Sequence, residues 1–71
     1  MKGITCFESV FNINNITVFG YIKKDDDDTF IEVKYNDKVI KKVYNEDLYN
    51  ENKILSDIEN FIEEIFKSGS H

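Results

Sequence analysis

Two short dipeptides, Asn14-Asn15 and Asn36-Asp37, decide most of what this chain can become. The first separates residues 4–13 from residues 16–23, and the second separates residues 29–35 from residues 38–44. All four flanking runs are rich in β-branched and aromatic side chains, and Asn and Asp tolerate the positive φ that a two-residue hairpin turn demands. Such a turn also fixes which residues face each other. With Ile13 opposite Ile16, Phe11 meets Val18, Ser9 meets Gly20 and Phe7 meets Ile22, an apolar or small face that must be the inner one. With Tyr35 opposite Lys38, Val33 lies beside Ile40, while Glu32 and Lys41 form an opposite-charge pair on the other face. The segment between the hairpins, Lys23-Lys24-Asp25-Asp26-Asp27-Asp28, has nothing apolar to bury and predicts a solvated loop.

The last third follows a different period. Ile54, Leu55, Ile58, Phe61, Ile62, Ile65 and Phe66 fall on one side of a helix, and Ser56, Asp57, Glu59, Asn60, Glu63, Glu64 and Lys67 fill the other. This spacing predicts a helix over roughly residues 46–67, with Asn45 or Asn50 capping its start and Glu46, Asp47 and Glu51 near the positive end of its dipole. Lys67 can pair with Glu63 and Glu64 in the last turn, and Gly69 can end the helix. The expected fold class is therefore α+β: a four-stranded antiparallel β-meander (ββββα) with one C-terminal amphipathic helix packed on one sheet face. A single domain covers residues 1–67. Residues 68–71, Ser68-Gly69-Ser70-His71, read as a linker running into a truncated histidine tag, which sets aside the only histidine.

One helix covers one face of a sheet. Under the same registers Val10, Phe19, Tyr21, Phe30, Val39 and Val43 point away from it, diluted only by Glu8, Glu32, Lys34 and Lys41, so a residual apolar patch of the kind that marks an interface is expected. The bland alternative is a sheet that curls and buries these residues itself. With 71 residues the core is small, and a partner surface would add stability. A homodimer is the expected assembly, through the face bearing Phe19, Tyr21, Phe30, Val39 and Val43 or through an edge strand.

Charge divides the chain unevenly. Residues 1–44 carry seven Lys against seven acids, whereas residues 45–71 carry two Lys against seven acids, so the net charge of −5 belongs to the helical third. The acids Glu46, Asp47, Glu51, Asp57, Glu59, Glu63 and Glu64 form either a merely solvated face or a docking face for a basic surface, such as a nucleic-acid-binding groove, by resembling a row of phosphates. Glu59 and Glu63 are like charges at i, i+4, which costs an isolated helix a few tenths of a kcal/mol.

Chemistry-bearing motifs are scarce. Asp25 to Asp28 offers oxygen ligands for a hard cation, but consecutive acids beside Lys23 and Lys24 make a poor cage, and a solvated hairpin loop is expected without a metal. Cys6 is the only cysteine; with no histidine to activate it, a small buried apolar role is expected, and no internal disulfide can form. The pattern lacks a catalytic triad, zinc spacing or phosphate-binding loop, and Glu63 and Glu64 sit where nothing shields a proton. No enzyme activity, cofactor or metal is expected. The sequence has no leader-like pattern and no apolar run near 20 residues, so a cytoplasmic location without membrane contact is expected.

These features point to a non-enzymatic interaction protein with partner-binding residues Phe19, Tyr21, Phe30, Val39, Val43, Asp57, Glu59, Glu63 and Glu64 and a macromolecular partner, a basic protein. Two alternatives stay open: a single-stranded nucleic-acid-binding dimer that uses Lys23, Lys24, Lys34, Lys38, Lys41 and Lys42, and a small-molecule binder with its site at a dimer seam. The order of four antiparallel strands and one helix resembles that of PC4-like single-strand binders, which dimerise. The short acidic chain, with ten Ile, nine Lys, eight Asn and no Arg, suits an AT-rich genome. In style it resembles phage and mobile-element inhibitors of host defence systems, anti-CRISPR proteins among them.

Overall fold

The hairpins form where the asparagines sit. In the structure, a computed structural model that describes residues 4–68, β1 (Ile4–Ile13), β2 (Ile16–Asp25), β3 (Asp28–Tyr35) and β4 (Lys38–Val43) make a four-stranded antiparallel sheet in the order β1-β2-β3-β4. The helix α1 (Glu51–Ser68) follows and packs on one face. Asn14 and Asn15 take φ of 51° and 66°, and Asn36 and Asp37 take 47° and 64°, the doubly positive pattern whose twist suits a tight hairpin. Ile13 opposes Ile16, Ser9 opposes Gly20 and Phe7 opposes Ile22, while Tyr35 opposes Lys38 and Val33 opposes Ile40. Both expected registers are present.

Three local expectations need correction. The charged stretch between the hairpins is not a loop: β2 runs on to Asp25, β3 begins at Asp28, and these two residues oppose each other across Asp26-Asp27. Ladder hydrogen bonds come from the backbone and tolerate polar side chains, and Asp26 accepts a φ of 56° as Asp can. Cys6 is exposed, because the pairing slips between Thr5 and Phe7 and leaves it as the extra residue of a β-bulge. The helix begins at Glu51 and not near residue 46. Its cap is Asn50, whose Oδ1 accepts from the Lys53 backbone N–H at 3.2 Å and whose carbonyl accepts from Ile54 N–H at 3.0 Å. Upstream, Tyr44 N–H donates to the Thr29 carbonyl at 2.8 Å. The chain is thus still tied to β3 at Tyr44, and residues 45–49 carry it across to the inner face. The proposed stop at Gly69, with the rest of the tail to His71, lies outside the described residues; Ser68 belongs to the helix.

The core lies between the two central strands and the helix. Val18 and Ile22 from β2, with Ile31 and Val33 from β3, meet Ile54, Ile58, Phe61 and Ile62 of α1. Burying each aliphatic side chain contributes roughly 1.5–3 kcal/mol relative to leaving it exposed. Phe7, Phe11, Ile13 and Ile40 pack around this centre, and the Tyr35 and Phe66 rings stack tilted at 4.9 Å between centroids.

Helix and sheet approach each other closely at Gly20. A Cβ placed there would overlap Ile58 Cγ2 and press on the Phe11 ring. Gly20→Ala should therefore destabilise the fold by about 1–3 kcal/mol through overpacking. In an Ile58→Ala background, which itself costs about 2–5 kcal/mol, the same substitution should cost much less. Urea denaturation of the four-variant cycle measures this coupling, and strict additivity would show that the close approach does not limit the packing.

Candidate interaction surfaces

Opposite the helix, the registers lay the side chains out in rows. Along one row stand Val10, Phe19, Lys34 and Val39, and along the next Glu8, Tyr21, Glu32 and Lys41. A third row holds Thr5, Lys23, Phe30 and Val43. Val10, Val39 and Val43 are 56%, 50% and 60% exposed, whereas Phe19, Tyr21 and Phe30 are half-buried among their neighbours. The sheet does not curl to hide the valines. At the β3–β4 turn, where Asn36, Asp37 and Lys38 meet Phe19, Lys34 and Val39, the end of the face dips into a concavity of 410 Å³.

Glu32 lies at the middle of this face and is only 7% exposed. Register sets it opposite Lys41, but its ion pair is diagonal: Lys23 Nζ lies 2.9 Å from Glu32 Oε1. The hydrogen bond to Glu32 raises the Lys23 ammonium above its usual pKa, against the desolvation it suffers. Lys41 extends over the Phe30 ring instead, at 5.7 Å from the centroid.

The acids expected to form one helix face divide in two. Asp57 is half-buried at the seam between α1 and the end of β4, where it accepts a 2.7 Å hydrogen bond from the Tyr44 hydroxyl and lies 3.2 Å from Lys53 Nζ. Lys53 also lies 3.9 Å from Glu46. Glu64 is 3.7 Å from Lys42, whose ammonium sits over the Phe61 ring. Glu59 and Glu63 stand exposed, away from that seam. The arrangement brings Phe19, Tyr21, Phe30, Val39 and Val43 together on one side of the molecule, with Asp57, Glu59, Glu63 and Glu64 on the other.

The seam encloses a cleft of 360 Å³ whose polar lining includes Lys42, Tyr44, Glu46, Lys53, Asp57 and Asn60. Burial, and then the bond to Asp57, push the Tyr44 phenol well above its ordinary pKa. The Tyr44 and Lys53 hydrogen bonds hold the Asp57 carboxyl below the usual carboxylate range despite its desolvation. A phenol fixed neutral and a carboxylate fixed ionised cannot exchange a proton near neutral pH, so the pair acts as a clasp between strand and helix. Sequence reasoning missed this clasp because it placed Asp57 with the solvated acids. Position carried the signal: Asp57 follows Ile54 by three residues and precedes Ile58 and Phe61, so it borders the apolar stripe.

Asp25 to Asp28 sit at the β2–β3 tip, and among the described residues no three His, Cys, Asp or Glu side chains converge to hold a metal ion. No described helix is long and apolar enough to cross a membrane. No family model, curated protein or solved structure matches this chain.

The clasp makes stability depend on pH at both extremes. Asp57, with its folded pKa below the ordinary 3.8, contributes stability above that value that disappears as pH falls through the folded pKa. Tyr44, with its folded pKa above the ordinary 10.0, favours the fold below that value and loses this contribution as pH rises past it. Tyr44→Phe should cost about 1–2 kcal/mol at pH 7, and the difference from the parent should shrink toward pH 2. Urea unfolding across that range tests this, and a pH-independent difference would remove Asp57 from the account.

Proposed function

We propose that this chain is a non-enzymatic interaction protein with two working surfaces: the uncovered outer sheet face, which seals against protein, and the acidic side of α1, which meets a basic macromolecule. The observation that carries the reading is the exposure of Val10, Val39 and Val43 beside Phe19, Tyr21 and Phe30 on a face that no described part of the chain covers. Apolar area of this kind, rimmed by Glu8, Lys34 and Lys41, has the make-up of a binding surface. Glu59 and Glu63 supply the second surface, where exposure and the like-charge pair at i, i+4 favour a cationic neighbour. Inhibition of a host defence protein is one role such a binder can fill.

One observation favours a second reading, single-stranded nucleic-acid binding. Lys34 and Lys41 share the outer face with Phe19, Tyr21 and Phe30, the combination of cations and stacking rings that holds single strands. Against it stand Glu8 and the central Glu32 on the same face.

Affinity capture from a lysate of the source organism, with and without nuclease, separates the two. The first reading expects a basic protein retained after nuclease and lost on Glu59→Lys with Glu63→Lys, while Lys34→Ala with Lys41→Ala leaves it bound. Recovery of nucleic acid alone, abolished by the lysine variants, would overturn it in favour of the second.

A further inference from the structure

We infer that the occupant of the outer sheet face is a second copy of this chain, seated face to face about a two-fold axis that runs parallel to the strands between β2 and β3. This rests on the reading of that face as a protein-binding surface and names its partner. The argument comes from the rows. An axis along the strands lays each row end to end on its own copy, so the first position meets the fourth and the second meets the third.

Five of the six resulting pairs are complementary, and the sixth, Thr5 on Val43, is neutral. Val10 meets the second copy's Val39, Phe19 meets its Lys34, Glu8 meets its Lys41, and Tyr21 meets its Glu32. In the third row Lys23 meets Phe30 and Thr5 meets Val43. The pairs are apolar on apolar, ring on ammonium, carboxylate on ammonium, and phenol on carboxylate, and none sets like charge on like. Lys23 already engages Oε1 of Glu32, and the second copy's Tyr21 hydroxyl would donate to Oε2. The 410 Å³ concavity at the β3–β4 turn borders Val39, where the second copy's Val10 arrives. The other two-fold arrangement that keeps the strands aligned has its axis across them and stacks each column on itself. It would set Glu8 on Glu8, Glu32 on Glu32 and Lys41 on Lys41, which charge repulsion disfavours.

The sheet edges argue for the face over edge pairing. β1 carries the bulge at Cys6, and β4 is a six-residue strand bearing Lys38, Lys41 and Lys42. Bulges, short strands and lysines are the devices that blunt an edge. The face spans about 19 Å across four strands and about 20 Å along β4. Two such faces would remove on the order of 1,000 Å² from water, at the lower end of specific interfaces, so a dissociation constant in the micromolar range fits.

A charge swap tests both the association and its register. Glu8 and Lys41 lie at opposite ends of one row, about 14 Å apart across three strand spacings, so they cannot compensate each other within one chain. Sedimentation equilibrium on the whole chain should show a dimer that dissociates on dilution. Glu8→Lys or Lys41→Glu alone should weaken it about tenfold, since each change repeats twice across the two-fold. The double variant should return to within about threefold of the parent, with circular dichroism showing every variant folded. A folded monomer at high micromolar concentration overturns the inference while leaving the capture experiment to judge the broader reading. A dimer indifferent to the single changes, or one weakened by each and not restored by both, overturns the proposed register.

Discussion

The fold depends on the absence of one side chain. At Gly20 the sheet lets Ile58 come down onto the β2 backbone, and that approach seats Ile54, Phe61 and Ile62 against Val18, Ile22, Ile31 and Val33. A larger residue would lift the helix and open space in a core that has few side chains to refill it, and small domains have little packing energy in reserve. Ser9, opposite Gly20 on β1, continues the shallow lane. The position of the helix above β2 and β3 is therefore set by the small pair Ser9 and Gly20 as much as by its own apolar stripe.

With the helix committed to one face, the opposite face must manage a buried charge without helical cover. Glu32 does so by borrowing Lys23 diagonally, while Tyr21 and Phe30 flank it in the adjoining positions. Lys41, its direct register partner, covers a ring instead. Cation, carboxylate and aromatic groups alternate across this surface, which gives it directionality that a plain apolar patch would lack.

The two sequence periods were enough to read the hairpin registers, the inner and outer faces and the helix stripe, because two-residue turns and a 3.6-residue repeat leave little freedom. The rest escaped for identifiable reasons. Asp25 to Asp28 look like loop on charge alone, yet backbone pairing continues through them to a turn that Asp26 can make. The bulge at Cys6 depends on how far the β1–β2 ladder extends, which no local pattern encodes. Both Asn45 and Asn50 are competent caps, and the choice between them follows from Tyr44 being held by Thr29, a contact distant in sequence. The outer-face residues were grouped correctly by register, but the separation of Asp57 from Glu59 and Glu63 required the Tyr44 contact to be seen.

The helix is fastened unequally along its length. Its first half carries the Asn50 cap, the Tyr44–Asp57 bond and the Lys53 contacts. Its last turns carry the exposed Glu64–Lys42 pair and rest on the half-buried Ile65 and Phe66, with the Tyr35 ring as neighbour. Burial falls from Ile58 and Ile62 to Ile65 and Phe66, and local opening begins where burial is least, so the helix should unpeel from its C-terminal end while its start stays docked. Backbone amides there should exchange with solvent sooner than those near Ile58, and each brief opening would uncover the inner side of the hairpin at Ile13, which lies beside Phe66, without unfolding the sheet.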